Sequence, residues 1–209
     1  SIAKAAIGKL DITLVGVSAH WANQTKAKNA LLAASEFMVE IDKINKTFES
    51  PYPFCVGIGT LNGGSSTNIV PDYAEMHGNI RSCTMEDFYK LSDLVETVGK
   101  KISEKTGVEI SVEISKDPIT PIVNDKFMVQ KAAEVGKDVF GDEFYIMNKL
   151  YLAGDNACLY FKKVPGIFMV FRSAVHNGQA LHNPHFILNE DGFYKALEML
   201  HKYLININK

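Results

Sequence analysis

The sequence predicts an α+β protein, with a βαββαβ unit in its first half and an α/β portion short of strands in its second. Three observations carry this. Residues 9–15 and 108–114 alternate apolar and polar side chains with a period of two. Two long segments, 29–48 and 84–106, repeat apolar residues at steps of three and four. The run Ile167-Phe168-Met169-Val170-Phe171 is apolar on both faces and has too few strand-like neighbours to cover it.

The elements follow in order. Lys9 to Val15 reads as a half-buried strand, and 16–28 as a polar loop holding His20 and Trp21. From Asn29 a helix runs to about Phe48, with Leu31, Ala34, Phe37 or Met38, Ile41 and Ile44 at helical spacing; Pro51 and Pro53 end it. Phe54 to Leu61 is the second strand, and 62–68 a turn-rich segment. On the third strand, about 72–83, Ala74, Met76, Gly78 and Ile80 share one face, and Glu75, His77, Asn79 and Arg81 the other. Thr84 and Asp87 resemble a capping box opening a helix with Phe88, Leu91, Val95, Val98 and Ile102 inward; Gly107 is placed to stop it. Val108 to Ile114 is the fourth strand. The order β-α-β-β-α-β is a split βαβ, or ferredoxin-like, unit.

Residues 117–121 read as a linker, giving domains at 1–116 and 117–209. Beyond it the pattern predicts a helix (124–140), a strand (143–150), a short helix (156–162), a strand (166–171) and a last helix (191–207). Two strands cannot cover a sheet buried on both faces, so another segment or a partner chain is expected to complete it. The absence of an initiator Met and the immediate strand-like pattern also suggest a piece of something longer.

Composition excludes several classes. With 209 residues, 46% hydrophobic and 22% charged, a packed core is expected. The net charge of −2 and the scarcity of Arg (Arg81 and Arg172 alone) argue against a nucleic-acid surface. An RNA-binding βαββαβ sheet would also need paired stacking aromatics, where the third strand offers Tyr73, Met76, His77 and Ile80. No apolar run is long enough to cross a bilayer, and Ser1 to Ala6 lack the apolar core of a secretory signal. Cys55, Cys83 and Cys158 are widely spaced and outside any CxxC pattern, so they read as reduced and the location as cytoplasmic.

Of six histidines, His201 reads as surface and His77, beside Arg81 on a strand, as structural. His182 and His185 lie in a loop after the buried strand, where α/β sheets place ligand groups. Three ligands are the minimum for zinc, and no cluster of three with plausible spacing is visible. By itself the chain does not hold a whole metal site.

An ordered series of motifs remains. It runs Val15-Gly16-Val17-Ser18-Ala19-His20 with Asn29 to Ala34 after eight residues, Gly63-Gly64-Ser65-Ser66-Thr67-Asn68-Ile69-Val70-Pro71, then Ile80-Arg81-Ser82. It closes with Gly154-Asp155-Asn156-Ala157, Val164-Pro165-Gly166 and Leu181-His182-Asn183-Pro184. This series resembles the aminoacylase/glutamate carboxypeptidase superfamily of dimeric zinc exopeptidases, and within it the amidohydrolase branch that includes aminobenzoyl-glutamate and hippurate hydrolases. The resemblance covers nearly the whole chain. It implies that 1–116 is a lid and dimerisation domain and 117–209 the C-terminal part of a metal-binding domain whose first half is absent.

Roles carried by the resemblance are few. His182 is implied as the one metal ligand, for two divalent ions (Zn or Mn) that this chain alone does not bind tightly. His20 is implied as the lid histidine that reaches the partner subunit's site and stabilises the oxyanion. Asn68 and Arg81 are implied to hold the substrate carboxylate, which a planar guanidinium can meet bidentately. The plainer alternatives are His20 as a loop histidine bonded to backbone, Asn68 as a turn residue, and Arg81 as a surface ion-pair partner. Trp21 fits packing or a substrate wall. The resemblance implies a homodimer and cleavage of the amide bond of an N-acyl or N-aroyl amino acid such as aminobenzoyl-glutamate, with the isolated chain inactive. Two departures bear on substrate and activity: Asp155-Asn156 replaces an acidic pair, and 23–26 lacks the expected Pro. The competing reading is a non-catalytic dimerisation module or an inactive truncated homologue.

Overall fold

The structure, a computed structural model, describes residues 2–147, 149–171 and 183–207. It divides into two units. One comprises Ile2–Ile122 with Leu150–Leu159; the other comprises Val123–Lys149 with the residues from Tyr160 onward.

In the first unit, β1 (Ile2–Lys4) leads into β2 (Ala6–Val15), which buries Ala6, Leu10, Ile12 and Leu14 and turns the intervening residues outward. A six-residue 3-10 helix, Trp21–Lys26, occupies the loop after β2. Next, α1 (Ala30–Thr47) starts where the Asn29 Oδ1 accepts the Leu32 N–H at 3.0 Å. Its buried stripe, Ala30, Ala33, Ala34, Phe37, Ile41 and Ile44, has the period expected of a helix lying on a sheet. Two more strands follow, β3 (Phe54–Gly63) and β4 (Tyr73–Ser82). The Thr84 hydroxyl then accepts the Asp87 N–H at 3.1 Å and opens α2 (Met85–Thr106); Gly107, in the left-handed region at φ 68°, closes it. The Asp87 carboxylate accepts from the Ser50 hydroxyl at 2.8 Å. Last in the sheet is β5 (Glu109–Ile114).

The sheet order is β3-β4-β2-β5 and every pairing is antiparallel. Both helices cover one face, where Phe37, Phe88, Leu10, Ile12, Met76 and Leu91 are buried. The opposite face carries Lys9, Asp11, Glu75, His77, Asn79 and Arg81. A bulge at Gly59 interrupts the β3 register. The expected linker is tied to the sheet: Ile7 and Ile119 exchange backbone hydrogen bonds of 3.0 and 2.9 Å. Next to it, β6 (Ile122–Val123) pairs with β1.

The second unit is built on α3 (Lys126–Phe140) and α5 (Glu190–Ile207), which pack through Ala132, Val135, Met199 and Tyr203. Asp125 caps α3 by accepting the Met128 N–H at 2.9 Å. A single helical turn, α4 (Cys158–Phe161), stands where the short helix was expected. The strands expected over 143–150 and 166–171 do not form among the described residues. Glu143 closes a 3-10 turn, Gly141–Glu143, and no strand follows it. Phe168 bonds to a side chain, giving its N–H to the Asn124 Oδ1 (2.7 Å) while its carbonyl accepts from the Asn124 Nδ2 (3.1 Å). The run is left incompletely covered, with Val170 59% exposed. A strand persists only where a neighbouring backbone takes its hydrogen bonds along its length; among the described residues the Gly166 carbonyl accepts from the Asp125 N–H at 2.9 Å, and no ladder forms. No described helix is long and apolar enough to cross a membrane.

Candidate functional site

The loop that carries His20 is fixed at its base. The Val17 N–H donates to the Lys28 carbonyl at 3.0 Å, and the Lys28 N–H returns to the Val17 carbonyl at 2.9 Å. Gly16 allows this: a Cβ there would lie 2.0 Å from the Lys28 carbonyl oxygen. Further out, the Val70 N–H donates to the Ala19 carbonyl (2.8 Å), His20 bridges Ile69, and the Trp21 N–H donates to the Asn68 carbonyl (3.3 Å). The loop and the 62–70 turn are thereby zipped together, and His20 and Asn68 become neighbours across the zip.

His20 caps the 3-10 helix. Its backbone is extended (φ −60°, ψ 141°) and its Nδ1 accepts the Ala22 N–H at 3.1 Å. The Asn68 Oδ1 accepts from the Ser66 hydroxyl. Trp21 is solvent-facing.

Arg81 lies elsewhere. Along β4 the residue near the loop is Tyr73, opposite Val15, while Arg81 stands opposite Ile7. Eight strand residues at ~3.3 Å each put roughly 26 Å between those two ends of β4. The Arg81 Nε–H donates to the Asn79 Oδ1 at 2.7 Å, and an Nη1–H donates to the Leu152 carbonyl at 2.8 Å. Among the described residues it pairs with no carboxylate. The brace by Asn79 follows from the period-two pattern, which puts residues 79 and 81 on one face; the Leu152 contact has no local signal in the sequence.

His77 is bonded within the polar face of the sheet. Its Nδ1 lies 2.7 Å from Asp11, directly opposite on β2, and Lys9 lies 2.7 Å from the same carboxylate. Hydrogen bonds from Lys9 and then His77 hold the Asp11 carboxyl below the usual carboxylate range. Asp155 accepts the Ala157 N–H at 2.9 Å, a local turn bond ahead of α4. His182 lies outside the described residues, as does His176. Among the described residues no group of three His, Cys, Asp or Glu side chains could hold a metal ion. The residues on view therefore do not fit a metal centre.

A match to the peptidase dimerisation domain (M20_dimer) spans residues 2–107. The chain belongs to this M20 family. Residues 2–107 hold β2, β3, β4 and both helices of the βαββαβ unit, and its last strand, β5, follows directly at Glu109–Ile114. Among curated relatives, N-acetyldiaminopimelate deacetylase of Streptococcus thermophilus is 23% identical over 198 residues, 92% of this chain and 51% of that protein. The protein of the same name from Oenococcus oeni is 25% identical over 94% of this chain and 51% of its own. The chain thus spans about half the length of these relatives.

Among solved structures, a dinuclear metal-binding peptidase of the M20 family from Bacillus subtilis superposes with a TM-score of 0.75 at 19% identity, covering 97% of this chain and 50% of that one. Aminopeptidase PepT of Bacillus cereus gives 0.77 at 15% identity, with 99% and 53% covered. An aminobenzoyl-glutamate utilization protein of Klebsiella pneumoniae gives 0.70 at 18%, with 97% and 48% covered. These similarities establish the fold: a dimerisation domain followed by part of an M20 catalytic domain, matching the C-terminal half of those enzymes.

Proposed function

We propose that this M20 chain supplies the lid, the dimer contact and the C-terminal part of the catalytic domain to an amidohydrolase of N-acyl or N-aroyl amino acids. In this reading residues 1–116 are the lid and dimerisation domain, and 117–209 part of the domain that holds two divalent ions. In this reading His182 is this chain's contribution to the metal site, and the other ligands come from the first half of the catalytic domain. The substrate reading draws on relatives named for deacetylating N-acetyldiaminopimelate and on a neighbour named for aminobenzoyl-glutamate use. Both compounds carry an amide on an amino acid.

The observation that carries the reading is the separation of its groups. His20 and Asn68 sit together at one end of the sheet and Arg81 at the other, roughly 26 Å away by strand length. A small amino-acid derivative cannot touch both ends of one copy. In a two-fold dimer, His20 and Asn68 of one protomer can serve a site whose guanidinium belongs to the other. Arg81 then grips the carboxylate through the guanidinium hydrogens left free by Asn79 and Leu152. His20 donates to the carbonyl oxygen as negative charge builds on it.

A homodimer through the βαββαβ domain is supported by its bare side. Edge strand β3 has β4 as its one neighbour, and α1 beside it exposes Leu32 and Val39. In the second unit, α5 exposes Phe193, Leu197, Leu200 and Leu204 at steps of four, three and four, a stripe suited to a covering segment. The test is reconstitution: the chain is combined with a fragment supplying the other half of an M20 catalytic domain, and hydrolysis of aminobenzoyl-glutamate and N-acetyldiaminopimelate is followed with Zn²⁺ or Mn²⁺. Activity that needs His182 supports the proposal; full activity in His182→Ala removes that residue from the metal site.

A further inference from the structure

The turn at Trp21–Lys26 constrains more than the position of His20. Its first three amides each have an acceptor: the Trp21 N–H goes to the Asn68 carbonyl (3.3 Å), the Ala22 N–H to the His20 Nδ1 (3.1 Å) and the Asn23 N–H to the His20 carbonyl (2.7 Å). The turn therefore offers no open N–H at those positions, and any hydrogen bond it gives outward must come from a side chain. A ring nitrogen that accepts an N–H carries no proton of its own, so in a neutral imidazole the proton lies on the other nitrogen.

From this accounting we infer that His20 is held as the Nε2–H tautomer by the Ala22 backbone amide, which acts as a positioning group. Among the described residues the His20 Nε2 has no partner. It is thus a donor set aside for an acceptor ligand, such as a carboxylate or a carbonyl oxygen gaining negative charge. Proton abstraction through Nδ1 is closed to it. Asn68 also bonds locally: its Oδ1 accepts the Ser66 hydroxyl, one of the two hydrogen bonds an amide oxygen can take. The ligand class rests on the function proposed above; the tautomer does not.

The test reads the tautomer directly on the 209-residue chain. Multiple-bond ¹H–¹⁵N correlation spectra of the imidazoles are recorded at about pH 8.5, above the ordinary imidazole range near 6.5. A His20→Gln spectrum identifies the His20 signals by their loss. The expected result is a predominant Nε2–H pattern for His20; an Nδ1–H pattern or an even mixture overturns the inference. Amide exchange at Ala22 supplies a second reading. In His20→Ala it should speed up on the order of fivefold, the effect of losing one cap, while His20→Asn, which keeps an acceptor at the Nδ1 position, should stay near wild type. Equal Ala22 exchange in all three proteins overturns the inference. Hydrolytic activity that survives His20→Ala would instead remove His20 from the proposed reaction and leave the tautomer result standing.

Discussion

Replacing Gly16 with Ala should unfasten the His20 loop while leaving the sheet intact. The added Cβ would stand 2.0 Å from the Lys28 carbonyl oxygen and 3.1 Å from its carbon, well inside contact distance with backbone that has no rotamer to change. Relief requires the 16–17 and 28 segments to part. That breaks the Val17–Lys28 pair of hydrogen bonds at 3.0 and 2.9 Å. At about 0.5–1.5 kcal/mol net for each bond, the local cost is about 1–3 kcal/mol, or roughly a five- to hundredfold rise in opening. Residue-resolved amide exchange measures it: Val17 and Lys28 should lose protection by that factor. Leu10, Ile12 and Met76, deep in the sheet, should keep theirs. Unchanged protection at Val17 and Lys28 would refute the argument that this close approach fixes the loop. Uniform loss across the sheet would show that the loop is not a separable part.

Other perturbations report on different links. Phe37, fully buried under the sheet, should cost about 3–5 kcal/mol on truncation to Ala, seen as a lower urea midpoint with the slope unchanged; a loss below about 1 kcal/mol would deny its place in the core. Because the Asp11 pKa is lowered in the folded chain, its pairing adds stability above the ordinary Asp value and loses it as pH falls through the lower folded one. Its exposed partner limits this to about 1 kcal/mol or less, and Asp11→Asn should flatten that part of the stability–pH curve; an unchanged acid limb would contradict the pairing. Asn79→Ala frees the Arg81 Nε–H and should raise KM about three- to tenfold with little change in kcat in a reconstituted enzyme, whereas a fall in kcat at constant KM would give Asn79 a different role.

The βαββαβ unit is legible because each of its elements announces itself locally. Alternation on Ala6–Val15, the Asn29 and Thr84 caps and Gly107 all act within a few residues of where they stand. The second half is less legible for the same reason. The apolar run 166–171 has strand-forming residues but, among those described, no strand beside it: the Asp125 N–H bonds to Gly166 and the Asn124 side chain to Phe168. The site divides likewise. His20, Asn68 and Arg81 can be picked out by motif, yet nothing in their spacing says that two share a zip and the third lies a strand-length away. That follows from the Val15–Tyr73 and Ile7–Arg81 pairings. The plainer roles are both present: His20 bonds to the Ala22 backbone and Asn68 lies in a turn. The Ala22 amide and the Leu152 carbonyl are backbone groups, invisible to any reading of side-chain types.

Mixing two defective proteins tests the shared site most directly. His20→Ala and Arg81→Ala chains, each reconstituted with the fragment supplying the other catalytic half, should be nearly inactive alone: the first loses an oxyanion donor, worth about 10²–10³ in kcat, and the second the guanidinium that pairs with the substrate carboxylate. If the two residues of a site come from different protomers, a mixed dimer has one doubly damaged site and one intact site. Random exchange makes about half the dimers mixed, so an equimolar mixture should recover about a quarter of wild-type activity. No recovery, with exchange verified by sedimentation of tagged chains, would mean that His20 and Arg81 serve one site from the same chain or serve none.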